Sequence, residues 1–122
     1  MRVTIPTTGD RGMEEQVNGH IGMAPTYTIV DTETGEVRSV ENTSNHRGGV
    51  GMPPEVIARA GTDVVLCQTL GQRAIDLFRG FGIKVHIGAE GTVEDAIKAW
   101  EAGQLPEADD ETECGHGCGG QH

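Results

Sequence analysis

Apolar residues recur along this chain with two periods, and the switches between them mark out its elements. Residues 2–6 alternate, with Val3 and Ile5 on one side, and read as a first strand. Residues 26–31 (TYTIVD) and 36–41 (EVRSVE) alternate in the same way. Thr32-Glu33-Thr34-Gly35 between them supplies a turn, so the pair predicts a hairpin. Val64, Val65, Leu66 and Cys67 form a short run of the kind buried on both faces of a sheet. The period then lengthens. Leu70, Ala74, Leu77, Phe78 and Phe81 lie on one helical stripe that Gly82 stops, and Lys84-Val85-His86-Ile87 follows as another strand.

Two further helices are marked at their ends. Pro53 and Pro54 suit a first helical turn, where the amide hydrogens they lack would be unpaired anyway. Val56, Ile57 and Ala60 give that helix an inner face, and Gly61 closes it. Thr92 caps the last helix with Asp95 reaching back, and Val93, Ala96, Ile97 and Trp100 keep helical spacing up to Gly103. Strand, helix and strand between residues 64 and 87 predict a right-handed parallel crossover. The element order β, β, β, α, β, α, β, α therefore predicts one three-layer α/β domain over residues 1–103. Its centre is the parallel strands that begin near Arg2, Asp63 and Lys84, with the hairpin extending one edge. Residues 104–122 have no period and read as a flexible, acidic, Cys/His-rich tail.

Charge narrows the class of partner. The formal net charge is -10, and half of it sits in the tail, where Glu107, Asp109, Asp110, Glu111 and Glu113 face no Lys or Arg. An acidic body with few aromatics offers neither the positive surface nor the stacking platforms of a nucleic-acid binder. Three cysteines, an odd number, speak for reduced thiols in a cytoplasmic protein rather than a disulfide framework. No apolar stretch reads as a signal peptide or a membrane span, so the expectation is a soluble protein with no membrane partner.

The densest set of metal-ligand side chains is Cys114-Gly115-His116-Gly117-Cys118, with His122 closing the chain. Thiolates and imidazoles are the donors that zinc, copper(I) and iron in iron–sulfur clusters select, and the glycines let a short chain wrap an ion. The spacing is not C-x-x-C, so Cys67 or a second chain is needed if these donors fall short. Cys67 stands at the carboxyl end of a core strand, where ligands of such sheets bind; by itself it reads as a small buried hydrophobe. His20 and His46 each lie in a glycine-bearing loop expected near the same strand ends, and singly each reads as a solvated imidazole. His86, inside a strand, reads as structural. Gly48, Gly49 and Gly51 before a helix start, and Gly71 in the turn after Cys67, offer backbone amides to an anion. The glycine cluster lacks the Lys-Ser/Thr of a P-loop. No nucleophile elbow and no pair of poised acids appears, which argues against an enzyme.

Taken in order, these segments resemble the dinitrogenase iron–molybdenum cofactor biosynthesis family, which includes NifX and the C-terminal domain of NifB. The resemblance covers about 105 residues. It runs through Gly19-His20-Ile21-Gly22-Met23-Ala24 before Tyr27, Thr34-Gly35, Asn42 and the loop from His46 to Gly51. It continues through Gly61-Thr62-Asp63-Val64-Val65, Leu70-Gly71, Phe81-Gly82-Ile83-Lys84-Val85 and Gly91-Thr92-Val93-Glu94-Asp95-Ala96-Ile97. Ile21 departs from the family's usual Phe, and the tail lies outside the family core. The resemblance implies a ribonuclease H-like fold, a mixed five-stranded sheet of order 3-2-1-4-5 flanked by helices. It also implies a non-catalytic carrier in nitrogen fixation that binds and transfers iron–sulfur or iron–molybdenum cluster precursors between a metallocluster donor and an acceptor protein. A first strand with Val3, Thr4 and Ile5 where a ribonuclease H would carry an acid brings no nuclease with it. The alternative is a metal-responsive regulator or zinc-binding interaction domain, and the hairpin edge leaves room for a homodimer.

Overall fold

The structure, a computed structural model, describes residues 1–42 and 53–108. Five strands make one sheet: β1 (Arg2–Thr7), β2 (Thr26–Asp31), β3 (Val37–Glu41), β4 (Val64–Leu66) and β5 (Lys84–His86). Three helices flank it: α1 (Pro53–Arg59), α2 (Gln72–Gly80) and α3 (Val93–Glu101). The strand order is β3-β2-β1-β4-β5. β1 pairs antiparallel with β2 and parallel with β4, while β5 lies parallel to β4. The mixed sheet and its 3-2-1-4-5 order are those that the family resemblance implies.

Alternation along the strands divides the core into two layers. Val65, Cys67 and Val85 face α1 and α2, where they meet Ile57, Ile75 and Phe78. Val3, Ile5, Val64 and Leu66 point the other way, against Val93, Ala96 and Ile97 of α3. α3 begins where Thr92 accepts from the Asp95 amide at 3.2 Å and Asp95 accepts from the Thr92 amide at 3.1 Å. This capping box contributes about 1 kcal/mol. At the far end of α2, Gly82 holds φ +77 just past the last turn, a conformation that an L side chain would strain.

Two expectations change. The buried residues of α2 are Ile75 and Phe78, whereas Phe81 is 48% exposed because the helix has already ended when the chain reaches it. The second change concerns residues 104–108, the first part of the expected flexible tail, which pack onto the sheet. Ile87 donates to the Pro106 carbonyl at 3.1 Å, and Ala108 donates to the Val85 carbonyl at 2.7 Å. His86 bridges antiparallel to Glu107, so the segment adds a short strap along the outer edge of β5. Leu105 enters the α3 layer and Ala108 the α2 layer. An edge strand with open backbone groups gains pairing and two apolar contacts, which is the physical reason the order extends past Gly103.

No helix among the described residues is long and apolar enough to cross a membrane.

Candidate functional site

Register puts four chain segments at one end of the sheet. Thr7 at the end of β1 lies opposite Thr26 at the start of β2, which lies opposite Glu41 at the end of β3. β4 and β5 run parallel to β1, so Cys67 and the turn to Gly71 leave from that same carboxyl edge. Such edges are where ligands of open α/β sheets bind.

The turn carrying His20 is held from several sides. Asn18 donates its amide to the Pro6 carbonyl at 2.8 Å, and its side-chain oxygen accepts the His20 amide at 2.8 Å. The His20 carbonyl then accepts from Met23 at 3.2 Å and Ala24 at 2.9 Å, closing one helical turn. Tyr27, fully buried, donates its hydroxyl to the Ile21 carbonyl at 2.8 Å. Asn42 donates its side-chain amide to the carbonyls of Gly22 at 2.9 Å and Ala24 at 2.8 Å. Gly19 backs onto the turn after β4: a Cβ there would come within 2.5 Å of the Gln68 side-chain oxygen, so only glycine fits without a shift. Ile21 and Ala24 are buried, whereas His20 is exposed and Met23 is 52% exposed.

The expected site residues separate accordingly. His20 and Gly71 both stand exposed at the carboxyl edge, and a Cβ at Gly71 would meet only open space. Gly71 begins α2 with no side-chain cap hydrogen bond and no acid in the first turn, so the positive end of the helix meets no carboxylate of its own there. Cys67 is placed differently. It is 1% exposed in the layer under α1 and α2, with its sulfur 3.8 Å from the His86 carbonyl. Burial pushes its thiol up to about 12, so it stays protonated and turned away from the edge. His86 has Nδ1 2.8 Å from the Leu105 carbonyl and its ring edge-on to Trp100, a structural clasp of the strap. His46, Gly48, Gly49, Gly51, Cys114, His116, Cys118 and His122 lie outside the described residues. Among those described, no three His, Cys, Asp or Glu side chains gather into a metal-holding group.

Beside this edge, the loop from Thr8 to Val17 is built around Glu15. Its carboxylate accepts from the Thr8 hydroxyl at 2.8 Å, the Gln16 amide at 2.9 Å and the Arg11 amide at 3.2 Å, and it pairs with the Arg11 guanidinium at 3.2 Å. These donors, Arg11 first, hold its pKa down at about 2. The Glu15 carbonyl receives the Val93 amide at 2.9 Å, so the same residue anchors the start of α3. The sequence shows Glu15 only as one acid in a polar loop. Asn42, Gln68 and Met23 complete the edge and were not singled out as site residues; an Asn closing a strand before a glycine cluster is the nearest thing to a signal.

A glycine-bearing turn, the start of α2 and an exposed imidazole meet at the carboxyl edge of a small mixed α/β domain. Residues 1–103 match the family described as dinitrogenase iron–molybdenum cofactor, and the chain belongs to it. The apo form of the orange protein from Desulfovibrio gigas superposes with a TM-score of 0.78 at 27% identity, covering 88% of this chain and 92% of that one. A NifB-like protein from Thermotoga does so with a TM-score of 0.71 at 28% identity, covering 91% and 93%. An uncharacterised protein of Methanocaldococcus jannaschii is 28% identical over 110 residues, 86% of this chain and 89% of its own length.

Proposed function

We propose that this protein is a non-catalytic cytoplasmic carrier that binds an iron–sulfur or iron–molybdenum cluster precursor at the carboxyl edge and passes it between metallocluster-handling proteins. The observation that carries the reading is the convergence there of the hydrogen-bonded His20 turn, the start of α2 and Asn42. Family membership supports an iron–molybdenum cargo and the link to nitrogen fixation; a ribonuclease H-like ancestry of the sheet belongs to the same reading. An anionic, sulfide-bridged cargo suits an imidazole donor and an acid-free helix start better than a ring of carboxylates. Transfer also favours few protein ligands, because cargo held by many bonds leaves slowly. In this reading Cys67 supports the floor of the site from below. The cysteines and histidines of the tail would capture or hand over metal.

Anaerobic reconstitution with iron and sulfide tests the reading. Charge-transfer absorption in the visible that follows the protein through gel filtration, and that weakens in His20→Ala, is the expected result. Zinc uptake with no chromophore under the same conditions would overturn it in favour of a metal-responsive regulator.

A further inference from the structure

The strap has a direction, and it sets where the chain goes next. Ile87 bonds Pro106, His86 bridges antiparallel to Glu107 and Ala108 bonds Val85, so the strap enters at the carboxyl end of β5 and reaches Ala108 beside its amino end. Ala108 therefore stands at the end of the sheet opposite His20 and Gly71. Residues 109–113 come next in sequence, with Asp109, Asp110, Glu111 and Glu113 and no cation.

The charge waiting at that end has the opposite sign. Across the starts of β1, β4 and β5 stand Arg2, Arg59, Arg79 and Lys84, all exposed, with Asp63 as the carboxylate among them. Asp31 and Glu33, on the β2 side, face the N-terminal ammonium at 3.9 and 2.9 Å. Arg59 and Arg79 close α1 and α2, where a cation also offsets the helix dipole. Lys84 has no such duty. It opens β5 exposed, and its ammonium pairs with no carboxylate among the described residues.

We propose that the starts of β4 and β5 form the docking surface for the chain's own acidic segment, Asp109 to Glu113, with Lys84 as its first contact. Continuing the strap register by two residues sets Asp109 opposite Lys84, an opposite-charge pair across an antiparallel ladder. Five residues span at most about 17 Å, whereas the two strand spacings from β5 to β1 take about 10 Å, so the segment can cover the row of cations. Reach alone would also let it fold back to the carboxyl edge. Direction and charge select the amino end. The effect is to keep four carboxylates away from the edge where an anionic cargo would bind, although the surface stands with or without that cargo.

A nitroxide on Cys114 of the full chain carrying Cys118→Ser is the probe, read as paramagnetic broadening of backbone amides at low salt. Cys67 is buried and takes no label in the native state. Amides of residues 61–63 and 80–84 should broaden strongly, while those of residues 19–23 and 69–72 at the carboxyl edge stay sharp. Salt at about 1 M, where the screening length is about 3 Å, should abolish the contrast. Lys84→Glu should remove most of it with the other amide positions of the sheet unchanged, and Lys84→Arg should keep it. Strongest broadening at the carboxyl edge, equal broadening at both ends, or a contrast untouched by salt and by Lys84→Glu would overturn the proposal.

Discussion

Asn42 reaches back twenty residues in sequence to the Gly22 carbonyl, 2.9 Å away, and so fixes the end of β3 to the turn that carries His20. The same amide group also serves Ala24 at 2.8 Å, so one side chain satisfies two carbonyls that strand pairing leaves over. Asn42→Ala strips both partners at once, and Asn42→Asp replaces the donor with a charge facing two carbonyls. Either variant should cost about 1–3 kcal/mol. Amide chemical-shift changes should centre on residues 19–25; shifts spread evenly over the sheet would contradict the local role.

Glu15 makes stability depend on pH in a defined window. Its pKa falls from the ordinary 4.5 to about 2 in the folded protein, chiefly through Arg11 and the Gln16 amide. A depressed carboxylate stabilises the fold fully above its unfolded pKa, and that contribution disappears as pH drops through the folded value. Denaturant midpoints should therefore hold near neutrality and fall between about pH 4.5 and 2. Glu15→Gln should lose about 1–3 kcal/mol at neutral pH. The two proteins should converge near pH 2, and a gap that persisted there would point to packing rather than ionisation.

The fold was legible because its signals are local and repeated. Val3 and Ile5 alternate, Thr92 and Asp95 form their capping box, and Gly82 stops α2 where the chain needs φ +77. Features decided by distant partners were not legible. Glu15 looks like any loop acid until Thr8 and Arg11 are folded onto it. Leu105 and Ala108 lack a period because a strap along β5 has one contact in each layer. Phe81 falls on the helical stripe by spacing, yet α2 ends one residue before it. At the site, glycine and histidine in a loop at a strand end pointed to His20, but the alternation that buries Val65 carries Cys67 inward with it.

Inward placement makes Cys67 chemically quiet. A thiol pushed up to about 12 by burial is almost wholly protonated at neutral pH, and the thiolate is the reactive form. In the Cys114→Ser/Cys118→Ser background, a thiol-reactive dye should label Cys67 only at the rate of global opening and promptly in denaturant. Cys67→Ala should leave iron–sulfide reconstitution unchanged. Fast labelling in the native state would mean that the floor of the site opens, and a loss of cargo in the alanine variant would make Cys67 a ligand.

The strap is the last described segment, and two truncations measure what it contributes. A chain ending at Ala108 keeps both backbone bonds to β5, the His86 contact with the Leu105 carbonyl and both buried side chains. Its midpoint should match the full chain to within about 0.5 kcal/mol. A chain ending at Gly103 exposes the β5 edge, leaves the Val85 carbonyl and Ile87 amide to water, and empties the place of Leu105 in the α3 layer. It should lose roughly 3 kcal/mol or more, with a change in the emission of Trp100, which packs against that layer and touches His86 edge-on. Leu105→Ala in the full chain isolates the packing part and should cost about 2 kcal/mol. Equal midpoints for the two truncations would mean that the strap is only laid on the sheet, and that β5 tolerates an open edge by virtue of its short length.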